Sequence, residues 1–458
     1  MTSVKKKGRL TMKLSFRERL GYGLGTAGEQ FPNFLVQTFL FGYFNLVVGL
    51  NAGIISTIML IARIWDAVND PMMGIIADRT RTRWGSYRPW AFFATIPMGI
   101  FLVLTFTNTG LTGVAKVVYC AAMYILFGMS NTASLIPLGS MANVLTDDNQ
   151  ERAVLGTFRE FGSSIGNLAG SIAVPAIVTA FINSGMGEAK GYQLTAIILS
   201  ILCIVFLGIT FFTTKERIEP PKPEGNILKS FLVLKGNVPG ICVVLFFFFI
   251  TTAIITRQMF NSMYYGPFVL GNPALGNQLL MIMSIAPFFI LYFIPKIAAK
   301  WGKKSQLLLG CVVVIVGGIL FFLSGTNSMM NMVSSFIVGL GQVLTFSGVW
   351  STIPDAADYG EYRNGVHAPG AMYSIANFGL KIGMTAASTL LGIGLIAAGF
   401  DETAAVQAAG VADGLRLFNS LSLIIPSVCA MLCLIPYKLT ADKSREVSAA
   451  LAQRRSKQ

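Results

Sequence analysis

Three ionisable residues share one face of an apolar segment near the start of the chain. Arg63, Asp66 and Asp70 lie within a hydrophobic run from about residue 51 to 77, which is long enough to cross a bilayer as a helix. Their spacing of three and four residues places them on one side of that helix. Charges facing lipid cost several kcal/mol each, so this face is expected to turn toward a bundle interior or a water-filled cavity. A buried ion pair that only fixes helix packing is the alternative, but two carboxylates against one arginine favour a functional site.

Two carboxylates one turn apart in a low dielectric repel each other. A bound proton or sodium ion relieves that repulsion, so Asp66 and Asp70 could form a cation-binding pair with H⁺ or Na⁺ as its ion. No nucleophile–base pair or metal-ligand cluster is apparent in the sequence, and the only histidine, His367, falls in a predicted cytoplasmic segment. The sequence therefore disfavours an enzyme and predicts no organic cofactor.

The composition defines the class of protein that surrounds these residues. The chain has 458 residues, of which 53% are hydrophobic and 12% charged, whereas soluble domains carry about 25% charged residues. Repeated apolar runs of helical length predict an integral membrane protein and exclude an outer-membrane barrel. The net charge of +14 does not indicate nucleic-acid binding, because lysine and arginine concentrate in the N-terminal arm, alternate loops and the tail. That distribution is typical of cytoplasmic segments facing a lipid bilayer.

The apolar runs predict an all-α membrane protein with twelve transmembrane helices in two six-helix halves, the major facilitator fold, with both termini cytoplasmic. The predicted helices lie near residues 20–48, 51–77, 89–107, 112–145, 153–183, 191–213, 237–263, 276–299, 306–325, 330–357, 369–399 and 412–436. The predicted segments are a basic arm (1–19), the N-terminal half (20–213), a proline-rich cytoplasmic linker (214–235), the C-terminal half (236–436) and a cytoplasmic tail (437–458). The sequence indicates no oligomeric state.

Two basic loops support an internal repeat. Ala77-Asp78-Arg79 and Trp84-Gly85 follow the second predicted helix, and Ala298-Ala299-Lys300 and Trp301-Gly302 follow the eighth. Short cytoplasmic loops are generally basic, but the shared Trp-Gly position favours a true repeat. Repeated halves are typical of transporters that hold substrate at the midplane between them.

Further polar residues fall at mid-membrane depth. Glu29 and Gln30 follow a glycine run in helix 1 whose spacing lets backbones approach closely. Arg159 lies in helix 5 and Lys381 in the middle of helix 11, where a lysine needs a counter-charge such as Asp66, Asp70 or Glu29. Arg257 in helix 7 could equally be a structural partner, an outer-gate residue or a substrate ligand. Tyr264 and Tyr265 are expected to be interfacial anchors.

Seven short segments spread over most of the chain carry a family resemblance. They are Tyr22-Gly23-x-Gly25, Arg63-x-Trp65-Asp66-Ala67-x-Asn69-Asp70-Pro71-x-x-Gly74, Thr82-Arg83-Trp84-Gly85-x-x-Arg88-Pro89-Trp90, Ile136-Pro137-x-Gly139, Asp358-Tyr359-Gly360-Glu361, Tyr373-Ser374 and Lys381-x-Gly383. With these segments the chain resembles the glycoside–pentoside–hexuronide:cation symporters. The resemblance implies that Asp66 and Asp70 bind the cation, and that Arg159 and Lys381 line the polar cavity.

Several positions depart from the best-characterised member of that family. Gln30 stands in place of a helix 1 aspartate, Leu135 in place of a helix 4 aspartate, and Gly139 in place of a sugar-stacking tryptophan. The missing carboxylate at Leu135 favours H⁺ over Na⁺, and galactoside specificity does not carry over.

The sequence thus predicts a bacterial inner-membrane symporter that moves a sugar, glycoside or anionic hexuronide by alternating access. The substrate-binding candidates are Gln30, Arg159 and Lys381, with Glu29 and Arg257 as further candidates. The alternatives are an uncoupled sugar facilitator and a lipid or lysolipid carrier of the same superfamily.

Overall fold

The computed structural model of the chain is all-helical apart from one isolated bridge between Thr82 and Gly85. It describes residues 14–146, 149–218, 234–290, 293–364, 369–402, 404, 407–439, 443–444, 446–447 and 450–451. Several features singled out in the sequence lie outside the described residues. These are His367, the proline-rich part of the linker at 219–233, most of the basic arm and the end of the tail.

Two of the described helices continue into a π-helical turn. In chain order the helices are α1 (Phe16–Gly42, then a π turn at Tyr43–Val47), α2 (Ala52–Arg79), α3 (Arg88–Phe93), α4 (Thr95–Thr105), α5 (Gly113–Ser140), α6 (Ala142–Leu145), α7 (Asn149–Asn183), α8 (Glu188–Thr213), α9 (Val238–Phe260, then a π turn at Asn261–Tyr265), α10 (Gly266–Phe268), α11 (Pro273–Ile290), α12 (Ile294–Ser324), α13 (Ser328–Asn364), α14 (Pro369–Ala397) and α15 (Val411–Cys433). Every predicted helix overlaps one of these elements.

Among the described residues, eleven helices are long and apolar enough to cross a membrane. The prediction of a multi-span membrane protein is thereby confirmed. The 27-residue helix α1 does not belong to these eleven, so the count of twelve spans stays a prediction, as does the cytoplasmic placement of the termini.

Helix α2 has its polar side inward and its apolar side outward. Ile64 and Val68 are 61% and 53% exposed, whereas Asp66 is 6% exposed. This arrangement is the reverse of a soluble amphipathic helix, and it fits a helix whose outer face meets lipid.

The described chain separates into two compact units. The first comprises the described residues within 1–34, 65–170 and 177–223, and the second comprises those within 35–64, 171–176 and 224–458. The predicted domain boundaries are a different division, by sequence repeat, and stay a prediction.

In the first unit, the glycine run of α1 brings two other helices into close contact. A side chain at Gly25 would overlap Thr210 of α8, and a side chain at Gly162 of α7 would overlap the carbonyl of Gly23. The Thr210 hydroxyl donates a hydrogen bond to the Gly21 carbonyl at 2.7 Å. The close approach predicted from the glycine spacing is therefore present, and it fixes the rotation of α1 about its own axis.

The turn between α2 and α3 is closed by a distant carboxylate. Glu216 accepts hydrogen bonds from the backbone N–H groups of Ser86, Tyr87 and Arg88 at 2.7–2.8 Å. A side chain at position 85 would collide with this carboxylate, and Gly85 has a φ of 113°, so glycine is required there on two grounds. Burial raises the pKa of Tyr87, and so does the hydrogen bond from its hydroxyl to Asp78 at 2.6 Å, so this tyrosine remains protonated at neutral pH.

The second Trp-Gly pair has a related backbone conformation. Gly302 interrupts α12 with a φ of 81°, so both Trp-Gly glycines adopt a positive φ. The predicted loop after the eighth helix is therefore a kink inside α12. Just beyond it, the ammonium of Lys303 forms an ion pair with Asp355 of α13 at 2.7 Å.

In the second unit, α9 is the central helix. Side chains at Gly379 and Gly383 of α14 would lie 2.8 and 2.5 Å from backbone oxygens of α9, so these glycines allow the two helices to pack closely.

The two π turns are joined by a hydrogen bond, in which the Tyr264 hydroxyl donates to Asn45 at 2.8 Å. Tyr265 donates to Asn331 at 2.9 Å, and both tyrosines are fully buried. The expectation that Tyr264 and Tyr265 are interfacial anchors is therefore wrong. The sequence pattern of two tyrosines at a helix end did not reveal the buried amides that pair with their hydroxyls.

Candidate functional site

The two carboxylates of α2 face the same stretch of α5. Asp70 accepts a hydrogen bond from the Thr132 hydroxyl at 3.0 Å. Asp66 lies one turn earlier, with a carboxylate oxygen 3.4 Å from the place that a side chain on Gly128 would occupy. Because Gly128 and Thr132 are also one turn apart, the two carboxylates follow the turns of the neighbouring helix. A glycine at 128 keeps the space beside Asp66 open.

A network of amides surrounds the carboxylate of Glu29 on α1. Asn33 donates to Glu29 Oε1 and, at 3.2 Å, to Asn131 of α5. Gln30 lies within 3.4 Å of Glu29 Oε2, and its own oxygen accepts from Asn167 of α7 at 3.3 Å. Glu29 is only 1% exposed, whereas the side chains of Gln30, Asn33, Asn131 and Asn167 are partly exposed. The amides at the edge of the network are therefore partly accessible, while the carboxylate remains enclosed.

The carboxylate pair and the amide network meet on α5. Gly128, Asn131 and Thr132 are spaced three and four residues apart and share one face of that helix. Asp66 and Asp70 approach this face from α2, and the Asn33 side chain approaches it from α1. A cation at the carboxylates and a hydroxyl-rich ligand at the amides would therefore be neighbours in the first unit.

Arg159 adds a positive charge to the same unit. Its guanidinium lies 3.7 Å from the place that a side chain on Gly139 would occupy, and it interacts electrostatically with Glu29. The side chain of Arg159 is otherwise exposed. An accessible guanidinium can donate two parallel hydrogen bonds to a carboxylate or to vicinal hydroxyls.

The remaining two predicted substrate residues, Lys381 and Arg257, belong to the second unit. Lys381 is partly buried on α14, where its backbone carbonyl accepts from the Thr385 hydroxyl at 3.3 Å. Arg257 is fully buried and donates to Asn419 at 2.6 Å and to Ser335 at 3.1 Å. Contact between either residue and substrate stays a prediction.

Three polar residues of the site were not singled out as ligands from the sequence. Asn33 and Asn167 complete the amide network, and Thr132 pairs with Asp70. Asn33 lies one turn after Glu29, and this spacing could have identified it as a partner of Glu29 from the sequence alone. Which residues of α5 and α7 face α1 depends on helix register, and the sequence alone did not fix it.

Comparison with known proteins identifies the family of the chain. A family model described as MFS/sugar transport protein matches residues 21–441. The chain belongs to this family. The resemblance to the glycoside–pentoside–hexuronide:cation symporters is thereby confirmed, and the expectation of a transporter rather than an enzyme is confirmed with it.

Relatives in this family align with the chain over most of its length. The isoprimeverose transporter of Lactiplantibacillus pentosus is 31% identical over 84% of this chain and 80% of its own. The inner membrane symporter YicJ of Escherichia coli K12 is 29% identical over 96% of this chain and 95% of its own. A glucuronide carrier protein homolog of the same bacterium is 28% identical over 98% of both.

A solved structure of a D-xylose–proton symporter has the same fold. It superposes with a TM-score of 0.66 at 14% identity and covers 93% of this chain and 98% of that one. At this identity the likeness establishes the fold alone.

Proposed function

We propose that this transporter is a cation-coupled symporter that carries a sugar or glycoside by alternating access. The observation that carries the proposal is the convergence of the Asp66–Asp70 pair and the amide network on Gly128–Thr132 of α5. A cation on the carboxylates changes the charge next to the amides, so ion and sugar can influence each other's affinity. The names of the relatives, which include a symporter and an isoprimeverose transporter, agree with this function.

In this proposal, Asp66 and Asp70 bind the coupling ion, and no other cofactor takes part. Gln30, Arg159 and Lys381 contact the substrate, together with Glu29 through the amide network. Amides and a guanidinium are suited to sugar hydroxyls, because they supply directed donors and acceptors.

The proposed coupling ion is a proton. A proton needs only the carboxylates themselves, whereas a sodium ion requires several oxygen ligands, and position 135 carries a leucine. One observation favours sodium as the second candidate, since the Thr132 hydroxyl lies 3.0 Å from Asp70 and could serve as a neutral oxygen ligand.

We also propose the arrangement in the membrane that the sequence predicts. The chain would cross the bacterial inner membrane twelve times, with α1 as the first span and with both termini in the cytoplasm. The arginines of the α2–α3 turn and the lysines near Gly302 would then face the cytoplasm, as the distribution of positive charge requires.

Arg159 raises the question of whether the substrate is anionic. Its guanidinium is exposed, so a hexuronide carboxylate could pair with it. An anionic sugar should then bind more tightly than its neutral parent, and replacement by Arg159→Gln should remove most of that difference.

The test is uptake into proteoliposomes that contain the full-length protein. A labelled isoprimeverose, xylose or glucuronide is presented with an inward proton gradient, an inward sodium gradient, or neither. Accumulation above equilibrium with the proton gradient alone is the expected result. Equal uptake under all three conditions would indicate a facilitator, and failure to move any sugar while moving a lysolipid would indicate a lipid carrier.

A further inference from the structure

The second unit contains a buried positive charge that the proposed transport cycle does not use. Arg257 lies on α9, and its side chain is fully enclosed by α12, α13 and α15. Its contacts are the Asn419 side-chain oxygen at 2.6 Å, the Ser335 hydroxyl at 3.1 Å, and the ring of Phe321 at 3.5 Å from the guanidinium carbon. All three groups are electrically neutral. Arginine keeps its proton in proteins, so the enclosed group is a cation.

No described carboxylate forms an ion pair with this arginine. The ion pairs of the described residues lie elsewhere, for example between Lys303 and Asp355 and between Arg416 and Asp413. The two hydrogen bonds, to an amide and a hydroxyl, and the contact with a ring face offset only part of the free-energy cost of removing a guanidinium from water. The site therefore lacks one unit of negative charge within the part of the chain that the structure describes.

Several donors beside Arg257 also have no hydrogen-bond partner among the described residues. They are the Nε of Arg257, the Nδ2 of Asn419 and the Nδ2 of Asn261, whose Oδ1 also has no partner among the described residues. All three residues are fully buried. Asn261 follows Arg257 by one turn, so the two side chains share a face of α9, and the backbone N–H of Asn261 donates to the Arg257 carbonyl. Asn261 also begins the π turn, a backbone irregularity that is common at functional sites.

We propose that Arg257, Asn419 and Asn261 form a binding site for a small inorganic anion of the halide type, such as chloride. The Nε–H of the guanidinium and the two amide NH₂ groups match an anion that accepts hydrogen bonds from any direction. A sugar carboxylate fits less well, because a sugar-sized ligand needs accessible surface and Arg257 has none in this conformation. The anion would neutralise the buried cation and would hold four helices of the second unit together.

The proposal is tested by the thermal stability of the purified full-length protein in detergent. Sodium chloride replaces sodium gluconate stepwise at constant ionic strength. The melting midpoint is expected to rise and to saturate, because an anion that binds only the folded state stabilises it by mass action. The same titration is then made with sodium glucuronate.

Asn261→Ala is the deciding variant, since it removes a donor without breaking any side-chain hydrogen bond that the described residues make. The chloride concentration at half-effect should rise about tenfold, in line with the loss of one hydrogen bond to a charged ligand. Thr251→Val is the matched control. Thr251 is also buried on α9, and its hydroxyl has no partner among the described residues. It precedes Arg257 by six residues and therefore lies on another face of the helix. This control should keep the wild-type half-effect concentration. Arg257→Gln should abolish the chloride effect if it folds, and Asn261→Ala decides the question if it does not.

Three results would overturn the proposal. The first is an identical melting midpoint of the wild type in chloride and gluconate. The second is a linear, unsaturated effect that Asn261→Ala shares with the wild type. The third is stabilisation by glucuronate and not by chloride, which would assign Arg257 to an anionic substrate.

Discussion

At the scale of single residues, the two aspartates of α2 have different surroundings. Asp66 is buried beside Gly128, whereas Asp70 is partly buried and paired with a hydroxyl. The spacing of Asp66 and Asp70 in the sequence predicted that they share a helix face. Their neighbours on α5 could not be predicted, because the rotation of one helix against another depends on packing that no local pattern records.

The coupling role of the pair predicts a specific loss in Asp66→Asn and Asp70→Asn. A neutral amide keeps the size of the side chain but cannot change its charge with the ion. The effect of pH or sodium on sugar affinity, typically 5–150-fold in a coupled system, should therefore fall to about onefold. Titration of sugar binding against pH and sodium measures this effect, and sugar should lose its effect on ion binding to the same extent.

Asp413→Asn provides the control for these variants. Asp413 is a 79% exposed side chain that pairs with Arg416 at the start of α15, so its loss should leave coupling unchanged. A purely structural role of Asp66 and Asp70 predicts the opposite outcome, in which folding and sugar binding fail together. Wild-type ion dependence in either α2 variant would place the coupling site elsewhere.

At the scale of elements, Glu216 is the clearest example of a contact that the sequence could not reveal. It is separated by 130 residues from Ser86, the first of the three backbone donors that it binds. The sequence predicted a basic loop at the first Trp-Gly pair, but not the carboxylate that closes it. Local sequence specifies the glycine, and tertiary structure specifies its partner.

Replacement of Glu216 by glutamine should destabilise the α2–α3 turn. The amide accepts fewer hydrogen bonds and lacks the negative charge that suits a helix N-terminus and the side chain of Arg88. The free energy of unfolding should fall by about 1–2 kcal/mol, measured as a lower melting midpoint in detergent. Glu188→Gln at the start of α8 is the control and should shift the midpoint by much less. Equal shifts in the two variants would contradict the capping role.

The close contact of α1 and α7 leads to a second prediction at this scale. Gly162→Ala places a methyl group against the carbonyl of Gly23, and backbone cannot move aside as a flexible side chain can. Overpacking of this kind costs about 1–3 kcal/mol, so the melting midpoint should fall. Gly156→Ala on the same helix meets nothing within 4 Å and should be neutral or slightly stabilising. If the two variants melt alike, the close packing is absent in solution.

At the scale of the whole molecule, the sequence predicted the class of protein correctly, and every predicted helix overlaps a helix of the structure. The predicted loop near Gly302 is the exception, because it is a kink inside α12. Apolar runs mark helices reliably, because lipid demands long hydrophobic segments. The amide network and the buried Arg257 cluster were less predictable, since each joins residues from three or more helices. Tyr264 and Tyr265, whose hydroxyls donate to buried amides, show the same limit. A tyrosine at a helix end has the same local sequence pattern whether it contacts lipid headgroups or buried amides.

The second unit also provides a test of alternating access. At the end of α1, a side chain on Gly42 would approach the Cβ of Met263 on α9 to 2.8 Å. Cysteines at these positions are therefore close enough for a disulfide after a small relaxation. The two helices belong to different halves of the predicted repeat, so a rocking motion must separate them at this end. Oxidation of the double variant Gly42→Cys and Met263→Cys should reduce sugar uptake to near background, and a reductant should restore it.

A second disulfide separates this effect from general rigidity. Gly25→Cys and Thr210→Cys join α1 to α8, where the Thr210 Cβ lies 3.1 Å from the place of a Gly25 side chain. Both helices belong to the same predicted half, so this bond should leave uptake largely intact. The six native cysteines are buried or partly buried. Variants that carry only one of the introduced cysteines are oxidised in parallel, and they measure any effect of reaction at the native cysteines. Peptide mapping must first show that the oxidised Gly42→Cys, Met263→Cys protein is cross-linked. If that protein then transports sugar as fast as its chemically reduced form, α1 and α9 do not separate during the cycle. The rocking of two six-helix halves would then be wrong for this transporter, because a covalent bond across the gap cannot survive their separation.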